Sequence, residues 1–233
     1  ETSRCWDLYT RPSVRPASDE SVPVFPHGVG GVSCYRIPAA VKTPHGRLVA
    51  FSEARHGPEG NSCADEFAYE IAMSYSDDLG KSWSTPNFAV GSKEYPVFNP
   101  YTRADPTVLK SGKIVLIYGK APAAGWDGHR GIGIGMKFST DGGDSWSAEL
   151  DVTDQFGIAG VAQPGPGAGI AVEMSDGKER IIVVSHMGEY IDDLITISDD
   201  DGVTWRTIKT DFPHMDEARR GDSDTRARSA DNA

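Results

Sequence analysis

One octapeptide pattern constrains this 233-residue chain more than any other feature. "SDDLGKSW" occupies residues 76–83, "STDGGDSW" 139–146 and "SDDDGVTW" 198–205, all of the form Ser-x-Asp-x-Gly-x-Ser/Thr-Trp. Recurrence at near-equal spacing marks a repeated structural unit. Each octamer follows a β-rich run that ends in serine: "AMSYS", "GMKFS" and "LITIS". Asp78, Asp141 and Asp200 are expected to accept hydrogen bonds from turn amides. Gly80, Gly143 and Gly202 are expected to take the positive φ that a tight hairpin needs. Trp83, Trp146 and Trp205 are expected to open the next strand and plug each unit against its neighbours. Calcium binding fits poorly. An Asp-x-Asp-x-Asp loop would need an acid five residues before the glycine, where Tyr75, Phe138 and Ile197 stand. The octamers therefore read as structural.

Between glycine- and proline-rich turns lie short runs of strand length: "RLVAFSEA", "YEIAMSYS", "KIVLIYGK", "GIGIGMKFS", "ERIIVVSHM" and "LITISDD". No window keeps a helical period, so the fold class is all-β. Units of about 60 residues, each with several strands and a hairpin, read as propeller blades. Three octamers correspond to three blades and part of a fourth, fewer than the roughly four to eight of known propellers. An incomplete propeller is expected, with its last blade edge open to association.

A net charge of −11 repels nucleic acid and anionic lipid, so no nucleic-acid partner is expected. No apolar run approaches the about 18 residues of a membrane-spanning helix. The chain opens "ETSRCWDLYT", which reads as an excerpt or as a chain whose leader was removed. Cys5, Cys34 and Cys63 match no metal spacing and read as free or partly paired thiols. The histidines show no His-x-x-x-His pattern, and His186 reads as buried or pocket-lining. "RGD" at 220–222 is too short a match to carry meaning.

An isolated arginine in an apolar strand, Arg36 in "SCYRIPAA", calls for an anionic partner. Pro38 places that strand at an edge or an end.

Five further motifs, in this order, resemble the sialidase (neuraminidase) family. They are "YRIPA" at 35–39, "EAR" at 53–55, "ADPTVL" at 104–109, "GPGAGI" at 165–170 and "HMDEAR" at 214–219. The family's six-bladed propeller carries these octamers as Asp boxes. The resemblance implies one partial sialidase-like propeller domain over residues 1–233 and no cofactor. It also implies exo-α-sialidase activity, with sialylated glycans as the partners. Secretion or a lysosome-like setting is a plausible location, although the sequence carries no address.

By the same resemblance, Arg36 is the first of three arginines that grip the substrate carboxylate, a planar anion that suits a guanidinium fork. Arg55 borders the same pocket. Asp65 is the general acid, with Glu59 and Glu66 as competitors in the same loop. Asp105 hydrogen-bonds a ring hydroxyl or amide, and Trp126 walls the N-acetyl group. Retaining sialidases use a tyrosine nucleophile, which escapes repulsion by the substrate carboxylate but needs a neighbouring base. Glu217 is the candidate for that base. Arg228, or Arg226, is the candidate for the second triad arginine. No residue is assigned as the third arginine or the nucleophile. The competing expectations are a glycan-binding or interaction propeller without catalysis, and another Asp-box glycosidase; a neutral sugar gives the second no use for Arg36.

Overall fold

A computed structural model describes residues 21–32, 34–56, 63, 69–91, 101–120, 133–156, 162–165, 167–187 and 193–209. These form three antiparallel sheets and two short 3-10 turns, Val29–Gly31 and Thr153–Phe156.

Sheet one comprises β1 (Cys34–Lys42), β2 (Leu48–Arg55), β3 (Tyr69–Ser76) and β4 (Asn87–Val90), in that order. Sheet two comprises β5 (Tyr101–Val108), β6 (Ile114–Lys120), β7 (Gly133–Ser139) and β8 (Leu150–Asp151). The third runs β10 (Ile170–Glu173), β11 (Glu179–Met187), β12 (Asp193–Ser198), β13 (Arg206–Lys209). A short β9 (Ala162–Pro164) pairs with β11 on the same edge as β10. Each sheet is a propeller blade, and the first strand of each blade lies beside that of the next.

Blade packing follows from strand period. Side chains alternate across a strand, so an unbroken apolar run buries both faces. In β6, Ile114, Leu116 and Tyr118 pack with Val49, Phe51, Ile71 and Met73 of blade one. The alternate residues Val115 and Ile117 join Ile134 and Met136 against Ile181 and Val183 of blade three. Each buried Val, Ile or Phe contributes about 1.5–3 kcal/mol.

The octamers fold as expected and nearly alike. Ser76 Oγ donates to Asp78 Oδ1 (2.7 Å) and accepts from the Gly80 amide (2.8 Å). Asp78 then accepts the Ser82 amide at Oδ1 and the Ser82 hydroxyl at Oδ2. The same four bonds recur around Asp141 and around Asp200. Both carboxylate oxygens are thus engaged within the turn. Gly80, Gly143 and Gly202 take φ of 89°, 98° and 86°. The residue before each, Leu79, Gly142 or Asp201, is left-handed as well.

One expectation needs correction. Trp205 directly precedes β13, but Trp83 and Trp146 stand several residues before β4 and β8 and do not open them. Plugging holds for two of the three: Trp146 meets Phe51 of blade one edge-on at 5.8 Å, and buried Trp205 joins the blade two–three core. Arg47 spans two octamers, bonding Asp77 in its own blade and Asp144 in the next. Lys113, at the matching place in blade two, donates to the Asp201 carbonyl.

Blade three leaves its other face bare among the described residues. Ile170, Val172, Val184 and Ile208 are exposed, Val184 by 55%. Counted from the partner of the octamer serine, Val184 occupies the place of Phe51 in β2 and Ile117 in β6. Both of those are fully buried against the next blade.

Candidate active site

The innermost strand of each blade breaks register at one level, toward the end opposite the octamers. In β1, Arg36 pairs with Glu53 but Ala39 with Phe51, so one extra residue bulges out. In β5, Thr102 pairs with Gly119 but Asp105 with Ile117. A left-handed residue sits in each bulge, Ile37 (φ 55°) and Arg103 (φ 58°). Pro38 costs no ladder bond because it lies inside a bulge on an edge strand. Blade three widens the same break into a loop, since Pro164 pairs with Ser185 and Ile170 only with Ile182. Bulges re-aim side chains, and the candidate residues cluster around them.

Arg36 is exposed and stands opposite buried Glu53 in the β1–β2 pair. Arg55, 3% exposed, holds Glu53 Oε2 through Nε (3.0 Å) and Nη2 (2.6 Å), with its guanidinium 4.3 Å above the Tyr69 ring. The two arginines meet at one atom. Arg36 Nη1 and Arg55 Nη1 both donate to the Cys63 carbonyl, at 3.2 and 2.7 Å. Cys63 is joined to Cys34 by a disulfide, so the cysteines are partly paired; Cys5 lies outside the described residues.

Glu53 also reaches the next blade, because its Oε1 accepts the Arg103 amide (3.1 Å). The Arg103 guanidinium extends to blade three, where it donates to Gln163 Oε1 and to His186 Nε2 (2.7 Å). Burial and the Arg103 charge push the His186 pKa down to about 4, so at neutral pH its ring is an uncharged acceptor. Glu53, Arg103, Gln163 and His186 thus clasp three blades.

Asp105, 3% exposed, lines a cavity of about 350 Å³ with Gly165, Ala168, Ser185, His186 and Asp193. Burial raises its pKa to about 7, against a smaller opposing effect of the Gly169 amide. Near neutrality this carboxyl is half protonated, able to donate as well as accept. Tyr118 donates to Glu149 Oε2 (2.7 Å), but the tyrosine is fully buried between blades and cannot reach a substrate.

Arg36 and Arg55 are therefore brought together, while Asp105, two residues past Arg103 in the next blade, lines a cavity to which neither arginine contributes. Asp65, Trp126, Glu217 and Arg228, with Glu59, Glu66 and Arg226, lie outside the described residues. Sequence reading missed Glu53, Arg103 and Gln163 as site residues. Glu53 had a signal: two residues before Arg55 in a strand, it shares that residue's face. Arg103 and Gln163 had none, because their partners lie in other blades.

Residues 71–220 match the BNR repeat-like domain family. A sialidase of Clostridium perfringens is 29% identical over 193 residues, covering 73% of this chain and 48% of the relative. An exo-alpha-sialidase of Aspergillus fumigatus is 28% identical, covering 77% of this chain and 47% of the relative. The chain thus spans about half the length of these curated relatives. The NanB sialidase structure from Streptococcus pneumoniae aligns with a TM-score of 0.67 at 17% identity, over 90% of this chain and 48% of that one. That likeness carries the fold: an incomplete propeller of sialidase type.

Proposed function

This chain belongs to the BNR repeat-like domain family, and from that premise we propose that it forms part of an exo-α-sialidase active site, acting on terminal sialosides of glycoconjugates with retention. One observation carries the reading: Arg36 and Arg55 converge on a single neutral carbonyl at a propeller bulge. Two guanidiniums so arranged favour a carboxylate, and sialic acid bears one on its anomeric carbon. Buried Glu53 fixes Arg55 while Arg36 stays open to solvent.

In this reading Arg36 takes the substrate carboxylate, Arg55 borders the same pocket, and Asp105 hydrogen-bonds a ring hydroxyl or amide. Trp126 walls the N-acetyl group, and Arg228 is proposed as a further carboxylate-binding arginine. Asp65 protonates the leaving glycosidic oxygen and then activates water. Glu217 serves as base to a tyrosine nucleophile. A disulfide beside the site suits the oxidising compartments in which glycoconjugates are displayed.

Hydrolysis of a fluorogenic aryl α-sialoside, with a β-galactoside as control, tests the reading. In a complete chain, Arg36→Ala should lower kcat/KM by about a hundredfold or more while leaving the unfolding transition in place. Asp65→Asn should harm substrates with poor leaving groups more than aryl sialosides. Retained turnover in the Arg36 variant would sink the carboxylate assignment. A folded chain that binds sialosides without turnover would instead support the glycan-binding alternative.

A further inference from the structure

We infer that the Cys34–Cys63 disulfide positions Arg36 and Arg55 by holding the Cys63 carbonyl that both guanidiniums share. The inference rests on the sialoside reading for its functional consequence, and on geometry alone for its structural part. Cys34 lies two residues before Arg36 in β1 and pairs in register with Arg55 of β2. All three therefore share one face at the sheet edge. Through the disulfide, Cys63, 29 positions along the chain from Cys34, is held with its Cα 5.3 Å from that of Cys34. Its carbonyl then accepts from Arg36 at 3.2 Å and from Arg55 at 2.7 Å.

Two like charges directed at one point repel each other. A carbonyl offers both a partial negative end without cancelling the charge of either. Glu53 holds Arg55 from behind through Nε and Nη2, leaving Nη1 for the carbonyl. The covalent tie therefore acts on the orientation of the two arginines, not through sulfur chemistry. Cys34 and Cys63 are positioning residues in this account.

The test compares the full chain oxidised, reduced with a phosphine, and as the double variant Cys34→Ser with Cys63→Ser. Thiol titration verifies the state of the bond. The first readout needs no ligand: phenylglyoxal labels arginines, and mass spectrometry gives the rate at each one. Arg55 and Arg36 should label roughly fivefold faster once the bond is broken, a local loosening. Arg47, held by Asp77 and Asp144 between blades, should keep its rate. Unchanged labelling at Arg36 and Arg55 overturns the inference. So does equal acceleration at all three arginines, which would make the bond a global staple.

The second readout is affinity for a 2,3-unsaturated sialic acid analogue and for its methyl ester, which lacks the carboxylate charge. The oxidised chain should prefer the acid, and breaking the bond should cost the acid about tenfold while sparing the ester. Reoxidation should restore both labelling and affinity. Arginine loosening without any preference for the acid in the oxidised chain would keep the disulfide role and overturn the sialoside reading.

Discussion

The octamer turns and the inner-strand bulges occupy opposite ends of the same blades, and they differ in what repeats. At the octamer end, residue and hydrogen bond repeat together: serine, aspartate and glycine make the same bonds three times. At the bulge end only the backbone device repeats. Blade one presents Arg36, blade two Arg103 and Asp105, and blade three the glycines Gly165, Gly167 and Gly169. A shared scaffold needs the same chemistry in every blade. A site that grips one asymmetric ligand needs a different side chain from each.

Electrostatics separates the ends too. Asp78 and Asp141 are held at about 2, chiefly by hydrogen bonds from Ser82 and Ser145. Their contribution to stability is full above the ordinary carboxylate pKa and is lost as pH falls through about 2. Burial raises Asp105 to about 7, so its sign is opposite. Folding favours its protonated form, and stability falls as pH rises from the ordinary carboxylate range through about 7.

Substitutions at the octamer end should act on stability and spare ligand binding, whereas removal of Arg36 at the bulge end should act on binding and spare stability. The largest effect is expected at Gly143, which has φ of 98° and whose added Cβ would lie 2.8 Å from Met73 Sδ. Gly143→Val should destabilise the fold by about 3 kcal/mol or more in denaturant unfolding. Arg36→Ala should shift the same transition by no more than about 0.5 kcal/mol. Equal losses would erase the contrast.

Asp105→Asn should come next, with a sign set by pH. At pH 8 the amide should be more stable than the carboxylate by about 2 kcal/mol, and near pH 4 the two should be alike. Thermal melts at both values check this, and a pH-independent difference would mean that Asp105 is ionised throughout. Ser139→Ala should cost about 1–2 kcal/mol, because buried Ser139 both donates to Asp141 and accepts from Gly143. Smallest is Leu79, exposed and left-handed at φ 61°. Leu79→Asn should stabilise by about 0.5 kcal/mol, since asparagine tolerates that conformation better.

Legibility in the sequence follows range along the chain. An octamer's bonds all close within eight residues, so its turn, its glycine φ and its structural role could be read directly. Three blade-sized units followed from the repeat, and the strand order within each came from the structure. The tryptophans were read one step wrong, because where a strand resumes depends on pairing with its neighbour and not on the octamer itself. Arg36 and Arg55 were legible as candidate site residues through motif and resemblance, while the carbonyl both donate to was not.

The sequence by itself determined an all-β chain of repeated units, because local turn chemistry and strand period are written in consecutive residues. Tertiary structure alone decided that Cys34 bonds Cys63, that Glu53 serves Arg55 and Arg103 at once, and that Arg103 reaches Gln163 and His186 across a blade boundary. Apart from the Glu53–Arg55 pair, which lies within β2, each of those contacts joins residues far apart in the chain. Their meeting depends on sheet register and blade packing, which no stretch of consecutive residues encodes.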